Sequence, residues 1–258
     1  MRILLAAMEC AKGDPAGNLA AHERVLREAA GLGCRIAVFP EMSLSGSIDP
    51  ATRSDWLLAL SSPYVSSLAA LTASYGVAAV FGVAEATTGG VAHITQLYAH
   101  SGVVAGVYRK RHLGDGEDAF TPGRSPALFQ LDGLRFGVAI CAEGGVDYPF
   151  DEPAAAGAEV VFFCAAPGLY GPRRDSEVDW RRGYEWWESS GLGDARRHAL
   201  RTGAWVALTT QAGSTVDEDF PGIAALVAPS GEVVARLPDW RPGLLVVDVP
   251  HSGDYDAV

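Results

Sequence analysis

Residues 132–143 read Asp132-Gly133-Leu134-Arg135-Phe136-Gly137-Val138-Ala139-Ile140-Cys141-Ala142-Glu143. The Asp-Gly pair lies between two apolar runs, Ala127–Leu131 and Leu134–Ile140. Both central residues of a tight hairpin turn need positive φ, so this pair predicts a two-stranded hairpin. From Phe136 to Ile140 the chain is apolar without alternation, as in a strand buried on both faces. That strand ends on a cysteine. Similar runs are Ile3 to Met8, Ile36 to Phe39, Val77 to Val83, Val103 to Tyr108, Val160 to Cys164 and Trp205 to Thr209. Ser230-Gly231 repeats the hairpin signal between Ile223–Ala228 and Val233–Leu237.

Helical spacing separates some of these runs. Tyr64, Leu68, Leu71 and Tyr75 form one apolar stripe, and Leu19, Leu26 and Ala30 lie on one side of a helix from Asn18 to Ala30. A third helix runs from Asp194 to Thr202, with an acidic residue in its first turn. Strands alternating with helices, plus antiparallel hairpins, predict an α/β fold with a mixed sheet and helices outside. The stretch from Gly168 to Gly193 has no clear period and reads as a long irregular loop.

The chain has 258 residues, 48% of them hydrophobic, which suits one domain over 1–258 with a large core. A net charge of -11 argues against a nucleic-acid partner. No apolar run is long enough to span a membrane, and the first ten residues read as a core strand and not a leader, so the expected compartment is the cytoplasm. Cys10, Cys34, Cys141 and Cys164 show neither paired nor zinc-ligand spacing. Three of them read as small buried hydrophobes. Cys141 differs because of where it stands.

Three segments share one pattern, a buried strand followed by a polar residue where it leaves the core. They are Ala37-Val38-Phe39-Pro40-Glu41, Val107-Tyr108-Arg109-Lys110 and Gly137-Val138-Ala139-Ile140-Cys141. Ligands in α/β sheets bind beyond the carboxyl ends of parallel strands, so a carboxylate, an ammonium and a thiol can meet at one rim. A thiol is mostly protonated near neutral pH and attacks poorly. A carboxylate can take its proton, and an ammonium with the backbone N–H of Ala142 can hold the oxyanion formed on attack at an amide carbon. Strand alternation sets Lys110 on the face opposite Arg109 and Arg111. His112 shares that face, so a Cys-His pair is the competing arrangement; it would leave the Glu41 segment unused.

Phe39-Pro40-Glu41, Tyr108-Arg109-Lys110-Arg111-His112-Leu113 and Gly137-Val138-Ala139-Ile140-Cys141 resemble, in order and spacing, the three catalytic motifs of the nitrilase superfamily, the carbon–nitrogen hydrolases. Asn18 ahead of the first helix, Phe120-Thr121-Pro122-Gly123 and the Ala228-to-Val233 hairpin extend the resemblance over nearly the whole chain. It implies a four-layer αββα sandwich and a Glu41-Lys110-Cys141 triad working without cofactor or metal, in a homodimer or higher homo-oligomer. It also implies a second glutamate that orients the lysine. Glu117 is the closest match, with Asp115 and Asp118 as alternatives. The segment after the nucleophile, through Tyr148, lines the pocket in the family and here departs from the family pattern. The implied activity is hydrolysis of a small primary amide; a carbamoyl amino acid is the next choice and a nitrile the third, because Ala142 stands where nitrilases often carry Trp. A non-catalytic member that binds a metabolite is the alternative from another class.

The Gly168–Gly193 stretch places Arg173, Arg174, Arg181 and Arg182 among large aromatics including Trp180 and Trp187. An arginine fork matches a carboxylate with two parallel hydrogen bonds. The expectation is that one of these arginines holds an anionic amide while a Trp covers the pocket. The alternative is a surface or subunit contact.

Overall fold

The computed structural model describes residues 1–168, 177–237 and 241–250; within it, the side chains of 177–180, 182 and 186 are not described. Strands β1 (Arg2–Ala7), β2 (Ile36–Val38), β3 (Ala78–Ala86), β4 (Ala92–His100), β5 (Val103–Arg109), β6 (Phe129–Leu131), β7 (Leu134–Ile140), β8 (Val160–Ala165), β9 (Trp205–Thr210), β10 (Ala212–Ser214), β11 (Asp219–Pro221), β12 (Ala224–Val227), β13 (Val233–Arg236) and β14 (Gly243–Asp248) follow one another along the chain. Helices are α1 (Pro15–Gly31), the short α2 (Pro50–Arg53), α3 (Pro63–Tyr75), α4 (Tyr148–Ala155) and α5 (Glu177–Thr202).

Two six-stranded sheets result, in the orders β14-β1-β2-β3-β4-β5 and β13-β12-β9-β8-β7-β6. In each, three central strands are parallel and the flanking strands antiparallel. The unbroken apolar strands follow from this position, since each side of a sheet is covered. Ile3, Leu5 and Val38 of the first sheet meet Phe136, Val138 and Phe162 of the second in a core between the sheets. Leu4, Ala6, Phe39 and Phe81 on the outer face pack with Leu26 of α1 and Leu68 of α3. Ala139, Val161 and Phe163 face Phe150 of α4 and Ala195 and Ala199 of α5. The layers are helix, sheet, sheet, helix, the αββα sandwich. Full burial of each such large apolar side chain contributes about 1.5–3 kcal/mol. Among the described residues, no helix is long and apolar enough to cross a membrane.

Local geometry follows the sequence signals closely at the first hairpin. Asp132 and Gly133 have φ of 46° and 90°, and the strands pair Leu131 with Leu134. At the helices it departs from them. Asp14 caps α1, so Asn18 lies inside the helix, buried, and bonds Ala11 and Leu44. In α3 the buried face is Val65, Leu68, Ala69 and Thr72, one step round from the expected stripe, because the amphipathic ends of Tyr64 and Tyr75 sit at its border.

The larger correction is α5. The helix expected from Asp194 begins at Glu177 and takes in most of the stretch read as a loop. Gly183, Gly191 and Gly193 hid it, since each glycine disfavours a helix interior by about 1 kcal/mol. Packing overrides that cost. The Trp187 ring lies over Gly191, where an added Cβ would meet it at 1.8 Å. Tyr184, Trp187, Leu192, Ala195 and Ala199 then form the buried side of the helix.

Candidate active site

Glu41 stands in the turn after β2, and close packing holds that turn. Gly82 of β3 permits the approach, since a Cβ there would lie 2.2 Å from Met42 N. Gln96 of β4 donates through Nε2 to Phe39 O at 2.9 Å, and Gln211 donates to Glu41 O at 2.9 Å. Two buried glutamines, one from each side of the sandwich, therefore fix the backbone that carries the carboxylate.

Lys110 follows β5 directly, and its N–H still bonds Ile94 O at 2.8 Å. The expected alternation holds. Arg109 turns to Glu85 and Arg111 to Glu152, while Lys110 points inward and is 1% exposed. Its Nζ donates to Glu41 Oε1 at 2.9 Å and to Glu117 Oε1 at 2.5 Å. Glu117 is in turn held by the Gly114 N–H at 2.6 Å. Of the three candidates for a second carboxylate, Glu117 is the one bonded to the lysine.

Cys141 begins a 3-10 turn, Cys141–Gly145, at the end of β7. Its φ of 44° is unfavourable for a residue with a Cβ and lifts it out of the strand direction. The turn is held from outside by α5, where Arg197 and His198 bond Gly144 O at 2.7 and 2.8 Å. The cysteine is partly open to a cavity of about 600 Å³ whose wall also includes Glu41, Glu117, Ala142 and Ala166.

Charge and burial set the resting proton positions. Burial, then the neighbouring Glu41 carboxylate, pushes the Cys141 thiol well above its ordinary value, against the pull of Lys110. Burial also raises the Glu41 carboxyl, opposed chiefly by Lys110. For Lys110, burial disfavours the ammonium, but the Glu41 and Glu117 carboxylates, joined by the Cys141 sulfur once it is a thiolate, outweigh it and hold the lysine charged. The resting site is thus a neutral thiol beside a carboxylate whose proton affinity is raised, with a fixed cation between two carboxylates.

The remaining sequence candidates are more scattered. Ala142 lines the cavity, as does Trp187. Tyr148 instead lies against the Arg111 guanidinium, 4.6 Å from ring centre to Cζ, and is not among the residues lining the cavity. Arg181 is exposed on α5. The side chains of Trp180 and Arg182 and the whole of Arg173 and Arg174 lie outside the described residues. His112 is likewise absent from the cavity wall, and its backbone N–H goes to Glu143.

Two site features were not read from the sequence. The Ala166 N–H, just past β8, bonds Glu41 Oε2 at 2.9 Å and also favours the Cys141 thiolate. It lies at a fourth strand end, but Ala166 contributes only its backbone, so the pattern of a polar residue after a buried strand does not mark it. Glu143 is fully buried two residues after the cysteine, and no local pattern marked it.

The chain is similar over nearly its whole length to proteins of known sequence and structure. An amidase from Nesterenkonia sp. AN1 superposes with a TM-score of 0.83 at 26% identity, covering 99% of this chain and 94% of that one. A variant of that enzyme solved with butyramide superposes at 0.82 and 25% identity, over 99% and 92%. A hydrolase of Mycobacterium tuberculosis is 27% identical over 96% of this chain and 89% of its own length. The N-carbamoylputrescine amidase of Arabidopsis thaliana is 29% identical over 90% and 81%. The sequence model of the carbon–nitrogen hydrolases matches residues 4–253. The chain therefore belongs to the carbon–nitrogen hydrolase family and is a hydrolase of non-peptide carbon–nitrogen bonds.

Proposed function

We propose that the protein hydrolyses a small primary amide to a carboxylic acid and ammonia, with Cys141 as nucleophile, Glu41 as base and acid, and Lys110 as oxyanion donor. The observation that carries this is the Glu41–Lys110–Glu117 chain of hydrogen bonds beside Cys141 in one cavity. Glu41 takes the thiol proton as sulfur bonds to the amide carbon. The carbonyl electrons move to oxygen, held by Lys110 Nζ and the Ala142 N–H. They return as the carbon–nitrogen bond breaks, and Glu41 passes its proton to the leaving nitrogen, which departs as ammonia. Water then attacks the thioester. Glu41 takes a proton from water, the carbon–sulfur bond breaks, and Glu41 returns that proton to the leaving sulfur, which restores the thiol and the carboxylate. Glu117 fixes the lysine so that its cation is in place before charge develops.

The described part of the cavity wall speaks to substrate charge. It carries Asp49, Asp115, Asp194, Asp217 and Glu218 besides the site glutamates, and Lys12 as its basic residue. Lys12 already pairs with Asp217 and Glu218 at 2.8 and 2.5 Å. Such a wall suits a neutral or cationic amide better than the carboxylate-bearing one expected from the arginines. It also favours, as a second reading, a carbamoylated amine with a positive tail, the type of compound named for the Arabidopsis relative.

Ammonia release from a matched panel tests both readings. Neutral and ammonium-bearing amides should be turned over, and the carboxylate-bearing analogue should have a kcat/KM lower by about tenfold or more, about 1.4 kcal/mol. Faster turnover of the carboxylate analogue would restore the arginine reading. Turnover of nitriles with inert amides would overturn the amidase reading.

A further inference from the structure

Glu143 is a buried carboxylate that the chemistry above does not use. Its two oxygens take hydrogen bonds from both sides of the site. Oε1 accepts from the Tyr108 hydroxyl at 2.8 Å, the Arg111 N–H at 2.7 Å and, more weakly, the His112 N–H at 3.3 Å. Oε2 accepts from the Ile140 N–H at 2.8 Å. Tyr108 and Arg111 bracket Lys110 in the chain, and Ile140 immediately precedes Cys141. The two segments belong to different sheets, β5 ending the first and β7 lying in the second. Nothing in the backbone ladder therefore ties them to each other at this point.

We propose that Glu143 is a positioning residue, clamping the backbone on either side of Lys110 to the base of the Cys141 turn. The clamp answers two structural needs. A positive φ at Cys141 is unfavourable for a residue with a Cβ and persists only when its surroundings hold it. The carboxylate closes that turn by reaching back to the N–H at its start, as a capping glutamate does at a helix N-terminus. Lys110, for its part, has a long side chain whose aim depends on a fixed backbone. A displacement of about 1 Å between such groups is enough to cost a hundredfold in rate. Burial raises the Glu143 carboxyl, while the bonds from Arg111, Tyr108 and Ile140 oppose that rise.

This proposal rests on the reading of Lys110 and Cys141 as working groups, so its test includes a measurement that needs no substrate. Glu143→Gln keeps the shape but turns one acceptor oxygen into an NH2 donor, which must face either the Ile140 N–H or the Lys110 side of the clamp. Three quantities are compared in folded protein: kcat, KM, and the rate of Cys141 alkylation by iodoacetamide at fixed pH. The expected result is a kcat at least about tenfold lower, a KM within about twofold, and slower alkylation, because a misplaced Lys110 supports the thiolate less well. Glu143→Asp, which keeps both oxygens on a shorter stem, should recover part of each loss. Tyr108→Phe removes one bond and keeps the ring, so it serves if Glu143→Gln does not fold; it should lower kcat and alkylation a fewfold. Parental kcat and alkylation in a folded Glu143→Gln or Tyr108→Phe protein would overturn the proposal, as would a loss confined to KM. If amides prove not to be substrates, alkylation alone still decides the clamp.

Discussion

Cys141→Ala abolishes amide turnover, by at least about 10⁴-fold, while the protein folds as before. Removal of the nucleophile from a covalent hydrolase leaves only what binding and the oxyanion site supply. The change deletes one sulfur atom that faces the cavity and leaves the wall behind it intact. Alanine meets the φ of 44° with the same Cβ that cysteine has, so the backbone strain is unchanged. Circular dichroism and a melting curve check the fold, and ammonia release checks the activity. Retained turnover in the purified variant would remove Cys141 from the mechanism.

Lys110→Met lowers kcat by at least about a hundredfold, the loss seen when one preorganised oxyanion donor is removed. A second effect has a definite sign. Lys110 is the chief influence holding the Glu41 carboxyl down against burial. Without the ammonium that carboxyl rises further, and the base form is lost at higher pH as the solution is acidified. The acidic limb of kcat/KM should therefore move to higher pH. Arg109→Met and Arg111→Met are the controls, since these side chains reach Glu85 and Glu152, away from the cavity. Arg109→Met leaves the buried Glu85 without its cation and should lower stability, so rates are compared per folded molecule. Equal kcat losses in all three variants would mean that the basic cluster acts as a diffuse field.

The main geometry was legible for a physical reason. Strands buried on both faces must be apolar throughout, so the polar residue that ends each one stands out. That rule brings Glu41, Lys110 and Cys141 to one rim before any coordinate is known. It failed where function or packing overrode local preference. Strand β4 escaped notice because Thr95 and Gln96 interrupt its apolar run, and both are buried where they serve polar partners, Glu85 and Phe39 O. Helix α5 was hidden by Gly183, Gly191 and Gly193, of which Gly191 makes room for the Trp187 ring. The acidic wall was not legible at all. Asp49, Asp115, Asp194 and Glu218 come from four distant segments, and only the closed sandwich sets them around one cavity. The prominent arginines were the local signal and pointed to an anionic substrate; Arg173, Arg174 and the Arg182 side chain lie outside the described residues, and the proposed neutral or cationic substrate rests instead on the acidic wall.

The central claim is that the reaction passes through a thioester on Cys141. Its most direct test is acid quenching during turnover of a small amide, followed by peptide mass mapping. The account predicts that the peptide containing Cys141 gains the mass of the acyl group, that Cys10, Cys34 and Cys164 stay unmodified, and that the adduct disappears once substrate is exhausted. Product accumulating at the parental rate with the acyl group on another residue would contradict it.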